Sequence, residues 1–239
     1  MEQADGRAIS FERWWNVRDL GGLPLREGGL SRRGVLIRAA TPEYVTGADI
    51  ARARRLGFRA FVDLRMPGHG PDWRDGDPVV IRADADLIGS LARPHEAPAG
   101  SLLRLMLDAG RPNIARAVGT ITRLAAQARP VVFHCFTGKD RTGLVAVVLL
   151  SLAGVAAEAI IADYLASNSG LEAMRAGLGA GAEFMAGAPA AFRGPVSRAG
   201  AEEMLSFLEA EGGAARYLVS GGLTTREVQD AASLLRPER

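Results

Sequence analysis

Lysine is almost missing from this chain of 239 residues: every basic residue is an arginine except Lys139. With 29 basic against 27 acidic side chains and a net charge of +2, the sequence lacks the excess that polybasic nucleic-acid or membrane-surface binders carry. Cys135 is the sole cysteine, which excludes an intrachain disulfide and a cysteine-rich metal site. His69, His95 and His134 lack ligand-like spacing, so neither a metal nor any other cofactor is expected. No apolar stretch reaches the ~20 residues of a membrane span. The longest, 144–157, is interrupted by Ser151 and Gly154 and closed by Glu158. Charges at Glu2, Asp5, Arg7, Glu12, Arg13, Arg18 and Asp19 leave no room for the apolar centre of a cleavable leader. The expected location is the cytoplasm, or outside the cell by a route that needs no such leader.

What remains is the composition of a globular protein, 48% hydrophobic and 23% charged, read as one domain over 1–239. Residues 35–39 predict a strand, and Thr41-Pro42-Glu43 the capped start of a short helical turn. An amphipathic helix is expected over 46–56 with Gly57 as its stop, then a strand over 58–64. Gly, Pro and Asp mark 66–78 as a loop before a strand at 79–82. Helical stretches follow near 101–107 and from Ile114 to Ala128, where the apolar residues keep a 3.6-residue period until Pro130. A strand at 131–133 and a helix apolar on all sides at 144–152 flank the densest chemistry in the sequence. Further helices hold Ile160, Ile161, Tyr164 and Leu165, then Met204, Leu205 and Leu208. Between them, 170–213 is Ala- and Gly-rich with Phe184, Met185 and Phe192 as anchors. A capping box, Thr224 with Glu227, opens the last helix, whose Val228, Ala231, Ala232 and Leu235 should face inward. The alternation predicts an α/β fold: a central, mostly parallel sheet flanked by helices, with a helical C-terminal half.

Residues 134–143 read His-Cys-Phe-Thr-Gly-Lys-Asp-Arg-Thr-Gly, at a strand-to-helix junction where α/β proteins bind ligands. Curled into a loop, Phe136, Thr137, Gly138, Lys139, Thr142 and Gly143 would turn backbone amides on one anion. Gly138 supplies the backbone freedom. Cys135, beside a helix N-terminus and cations, is the nucleophile. Arg141, at C-x5-R spacing, can hold two phosphate oxygens in a planar fork, and Thr142 could hydrogen-bond the sulfur. A leaving oxygen needs a proton. Asp140 is the nearest carboxyl in sequence, with Asp63 and the loop residues Asp72, Asp75 and Asp77 as rivals. His134 reads as a structural hydrogen-bonder behind the cysteine. Gly138-Lys139 does not fit a nucleotide P-loop, because residue 133 is Phe and Asp follows the lysine.

This decapeptide resembles the signature of the atypical bacterial protein tyrosine phosphatases and their lipid-phosphatase-like relatives. Other blocks fall in register: Asn16-Val17-Arg18-Asp19-Leu20-Gly21-Gly22, the strand with Arg38, Asp63-Leu64-Arg65, Asp163-Tyr164 with Ser167-Asn168, and the Thr224 helix. Ala39 departs from the serine common in relatives. The resemblance implies a cysteine-phosphatase fold with Cys135 as nucleophile, Arg141 as phosphate binder and Asp140 as acid. It also suggests 170–213 as a helical lid, with plain packing as its rival. The implied partners are a phosphorylated protein, on phosphotyrosine and sometimes phosphoserine or phosphothreonine, or a phosphoinositide, with inorganic phosphate as product. A phospho-ligand binding module without turnover is a further alternative, which intact Cys135, Asp140 and Arg141 oppose.

Overall fold

The computed structural model describes residues 6–65, 81–84, 99–179 and 193–237. The expectations for Asp72, Asp75 and Asp77, for His69 and His95, and for the anchors Phe184, Met185 and Phe192 lie outside these residues.

Five strands form one sheet: β1 (Arg18–Asp19), β2 (Leu36–Ala39), β3 (Ala60–Asp63), β4 (Ile81–Asp84) and β5 (Val131–His134). Their order is β1-β2-β5-β3-β4, with β1 antiparallel to β2 and the other neighbours parallel. The sequence reading anticipates four of these strands and misses β1, whose two residues are too few for any periodicity to register. Of the strand expected over 79–82, residues 81 and 82 are described and lie in β4, which runs on to Asp84.

Strand alternation sends side chains to two faces. Leu36, Ala60, Val62, Val131 and Phe133 enter the larger apolar cluster, while Ile37, Phe61 and Val132 pack on the other face with Trp14, Ala53 and Phe58. With both faces covered, the central β5 can read Val-Val-Phe-His without a polar residue until its end.

On the first side lie α3 (Arg111–Gln127) and α4 (Arg141–Ala153), with α2 (Ala99–Asp108), α5 (Ala157–Leu165) and α6 (Ser167–Leu178) joined to this layer or beyond it. Three more helices, α7 (Arg198–Ala210), α8 (Ala214–Ser220) and α9 (Thr225–Ser233), complete the described helical half. The other face carries α1 (Gly47–Arg55), opened by a capping box between Thr46 and Asp49. α4 is enclosed as its composition requires, and Gly154 stops it in the left-handed conformation. At α9 the Thr224–Glu227 capping box forms, and Val228, Ala231 and Leu235 are buried. Within 170–213, α7 is part of the core through Met204, Phe207 and Leu208, packed on α2, α4 and α5. Among the described residues no helix is long and apolar enough to cross a membrane.

One expected cap changes its job. The turn at Pro42–Tyr44 forms as a 3-10 helix without a side-chain bond from Thr41, because Thr41 Oγ1 accepts from Arg65 Nη1 at 3.0 Å instead. Ala39, Asp63 and His134 stand abreast in the strand register. The carboxyl ends of β2, β3 and β5 therefore make one edge.

Candidate active site

At that edge β5 delivers Cys135, and α4 begins at Arg141 with its N-terminus facing the bend between them. Gly138 makes the bend possible. Its φ is +74°, and a Cβ there would stand 2.5 Å from Ala39 O.

Four consecutive carbonyls of the bend are held from outside. Cys135 O lies 3.0 Å from His134 Nδ1, and Phe136 O accepts from Thr41 N at 2.8 Å. Thr137 O accepts from Asn16 Nδ2 at 3.0 Å and Gly138 O from Arg38 Nη2 at 2.8 Å. A trans peptide plane carries C=O and N–H on opposite edges, so the bonds that draw these oxygens outward turn the amides of 136–139 into the loop. With the first turn of α4 they make a concave row of amides, an arrangement that can receive an anion.

Cys135 is 2% exposed and belongs to the larger apolar cluster. Arg141 is half-buried. It makes one long contact, Nη1 to Leu64 O at 3.4 Å, and among the described residues it forms no ion pair. Arg65 is the opposite case, consumed by Asp63, Glu43 and Thr41. Among the described residues Arg141, unlike Arg65, keeps its charge for an incoming anion.

The rival carboxyls are also separated. Burial alone would push Asp63 up, but Arg65 donates through its backbone N, Nε and Nη2, and with His134 holds Asp63 far below the usual carboxylate range. Asp140 is raised, because burial outweighs its contact with Lys139 Nζ at 2.7 Å and the charge of Arg141. The first is a fixed anion and the second holds its proton more tightly than an ordinary aspartate.

His134 is wholly buried, with Nε2 3.9 Å from Asp63 Oδ2, in keeping with a structural role. Thr142 departs from expectation: its buried hydroxyl has no hydrogen-bond partner and so does not bond the sulfur. An oxygen in want of a partner inside an anion loop nonetheless fits the site. Gly143 serves packing, since a Cβ there would come within 2.6 Å of the Tyr164 ring. Phe136 is half-buried against the small cluster of Trp15, Ala40 and Met174. Lys139 is 1% exposed and turned to Asp140.

Sequence reasoning missed what lies beneath the loop. Arg7, Arg18 and Arg38 converge on Asp163, and Arg18 also grips Asn16 and Ser167. Arg18, Arg38, Asp163 and Ser167 lie in the blocks that carried the resemblance, and Arg7 does not; no spacing between residues as far apart as 7 and 163 announces a contact. Among the described residues no group of three or more acidic, His or Cys side chains could hold a metal.

Strand, amide-lined loop and helix together define an α/β protein of the cysteine-phosphatase type, with its C-x5-R cradle at the carboxyl edge of a parallel sheet. Comparison with known proteins narrows this: the chain belongs to the tyrosine phosphatase family, whose model matches residues 9–236. A Cupriavidus necator protein carrying the name tyrosine-protein phosphatase is 34% identical over 171 residues, which span 67% of this chain and 63% of that protein, under two thirds of its length. The triple specificity protein phosphatase PtpB of Mycobacterium tuberculosis is 32% identical over 198 residues, 68% of this chain and 70% of that one. A tyrosine-protein phosphatase of Nostoc commune is 40% identical over 212 residues, covering 81% and 71%.

Proposed function

We propose that the chain is a metal-independent phosphomonoesterase that hydrolyses phosphotyrosine, with phosphoserine and phosphothreonine as further substrates, through a phosphocysteine intermediate. The observation that carries this reading is the set of four outward-held carbonyls, which aims a row of amides at one point beside Cys135 and Arg141.

In the first step the Cys135 thiolate attacks phosphorus, the bond to the leaving oxygen breaks, and Asp140 gives that oxygen its proton. Arg141 and the amides hold the three non-bridging oxygens as they spread into a plane. In the second, water loses a proton to the Asp140 carboxylate and attacks phosphorus, the P–S bond breaks, and inorganic phosphate leaves. A raised Asp140 supports the role of acid in the first step. Asp63, held as an anion by Arg65, has no proton to give.

The phosphoinositide reading needs cations near Lys139 for a head group, and Lys139 is buried and engaged by Asp140, which favours a protein substrate. Replacing Cys135 by serine tests the central claim. Phosphate release from an aryl phosphate is expected to fall to background, and undiminished turnover would refute the nucleophile. Relative turnover on a phosphotyrosine peptide and a soluble phosphoinositide tests the substrate class, and wild-type protein that binds phosphate without releasing it from any ester would be a binding module.

A further inference from the structure

The buried cluster beneath the loop touches no reacting atom in the transfer scheme above. Asp163 Oδ1 accepts from Arg7 Nη1 at 2.7 Å and Arg18 Nε at 3.0 Å, and its Oδ2 from Arg38 Nη1 at 2.6 Å. Its backbone oxygen accepts from Arg18 Nη2 at 2.7 Å. Ser167 Oγ receives both Arg18 Nη2 and Arg38 Nη2, at 3.0 and 3.1 Å. Three guanidiniums thus share one carboxylate in a place sealed from water. Burial and the neighbouring Arg38 lower Arg18 to about 10. Burying charged groups is a poor way to stabilise a core, since apolar side chains of like volume often do as well or better.

The cluster's reach explains it better. Arg38 Nη2 extends to Gly138 O, and Arg18 steadies Asn16, which holds Thr137 O. Gly138 is the residue whose flanking peptides turn over most easily, having no Cβ and a φ of +74°. If the 138–139 peptide flipped, it would present a carbonyl oxygen to the bound anion in place of the Lys139 amide.

We propose that Arg38, oriented by Asp163, is a positioning residue: by gripping Gly138 O it keeps the Lys139 amide turned on the transferring phosphoryl group. The inference rests on the phosphatase reading and adds a residue that never touches the substrate. A planar guanidinium can hold Asp163 with one nitrogen and Gly138 O with another, which an ammonium does not reproduce.

Arg38→Lys keeps the charge and loses that geometry. Orthovanadate, which takes the trigonal bipyramidal shape of the transition state, and inorganic phosphate serve as probes, with circular dichroism to confirm the fold. The expected result is vanadate binding weakened about tenfold, with kcat/KM on an aryl phosphate falling in step, as loss of a transition-state contact requires. Wild-type vanadate and phosphate affinities in folded Arg38→Lys, whatever its Tm, would overturn the proposal and leave the cluster a structural one. Should that variant fail to fold, Ser167→Ala removes only the hydroxyl that accepts from Arg38 and Arg18; vanadate binding weakened about threefold supports the proposal and unchanged binding overturns it. Wild-type protein that neither binds phosphate nor turns over would instead sink the phosphatase reading itself.

Discussion

Two aspartates at the edge of the sheet, Asp63 closing β3 and Asp140 opening the turn into α4, are both withdrawn from water and are shifted in opposite directions. Removal from solvent presses both toward the neutral form. At Asp63 it is overruled by one arginine delivering a backbone amide and two guanidinium nitrogens. At Asp140 the single ammonium of Lys139 does not suffice. Burial together with the number and geometry of donors separates the two carboxyls.

The sharpest way to break this contrast is to neutralise each in turn. Asp140→Asn should lower kcat on a phosphotyrosine peptide on the order of 100-fold, within the usual range for a lost general acid. It should also erase the alkaline limb of the pH–rate profile, where the acid loses its proton. Asp63→Asn should keep that limb. An alkaline limb that survives in Asp140→Asn and vanishes in Asp63→Asn would exchange the two roles.

Stability should rank the pair the other way. Asp63→Asn leaves Arg65 buried with Glu43 as its only described carboxylate, a loss of about 3 kcal/mol in urea unfolding at neutral pH. Because the folded protein holds Asp63 below its unfolded value of 3.8, the stability it contributes is fully present above that pH. The gap between wild type and variant should close only as the pH falls below 3.8 toward the folded value. Asp140 has the reverse sign: raised in the folded state, it favours folding most in acid, and its contribution declines as pH climbs through the carboxylate range.

A finer adjustment removes the ammonium beside Asp140. Lys139→Met should move the alkaline limb of turnover to higher pH, since the lysine's charge opposes the burial that raises the carboxyl. A shift to lower pH would mean that Lys139 acts on the substrate and not on Asp140. The smallest effect expected is at Thr224→Ala. Loss of that capping box should cost about 1 kcal/mol by thermal unfolding and leave the pH–rate profile unchanged.

The candidate site is legible in the sequence wherever its residues are neighbours along the chain. Cys135, Gly138, Asp140 and Arg141 lie within one turn-sized segment whose residue types have few other uses together. The same holds for β5 and α4, whose unbroken apolar character leaves little choice but burial. Illegible were the contacts that need the whole fold: Arg38 on Gly138, Asn16 on Thr137, and Arg7 with Asp163. Thr41 shows the same limit at short range, since its cap-like context was real and a distant arginine claimed the hydroxyl. The choice between Asp63 and Asp140 likewise depended on Arg65, two residues along the chain, curling back on its own strand end.

Lys139 is the sole lysine and it is shut away in the loop. The folded molecule therefore offers no side-chain amine at its surface to acylating dyes, aldehyde fixatives or lysine-directed proteases. Any adduct found at that nitrogen must have formed while the cradle was open. A mass increment mapped to this one site is thus a stopwatch for breathing of the phosphate-binding turn.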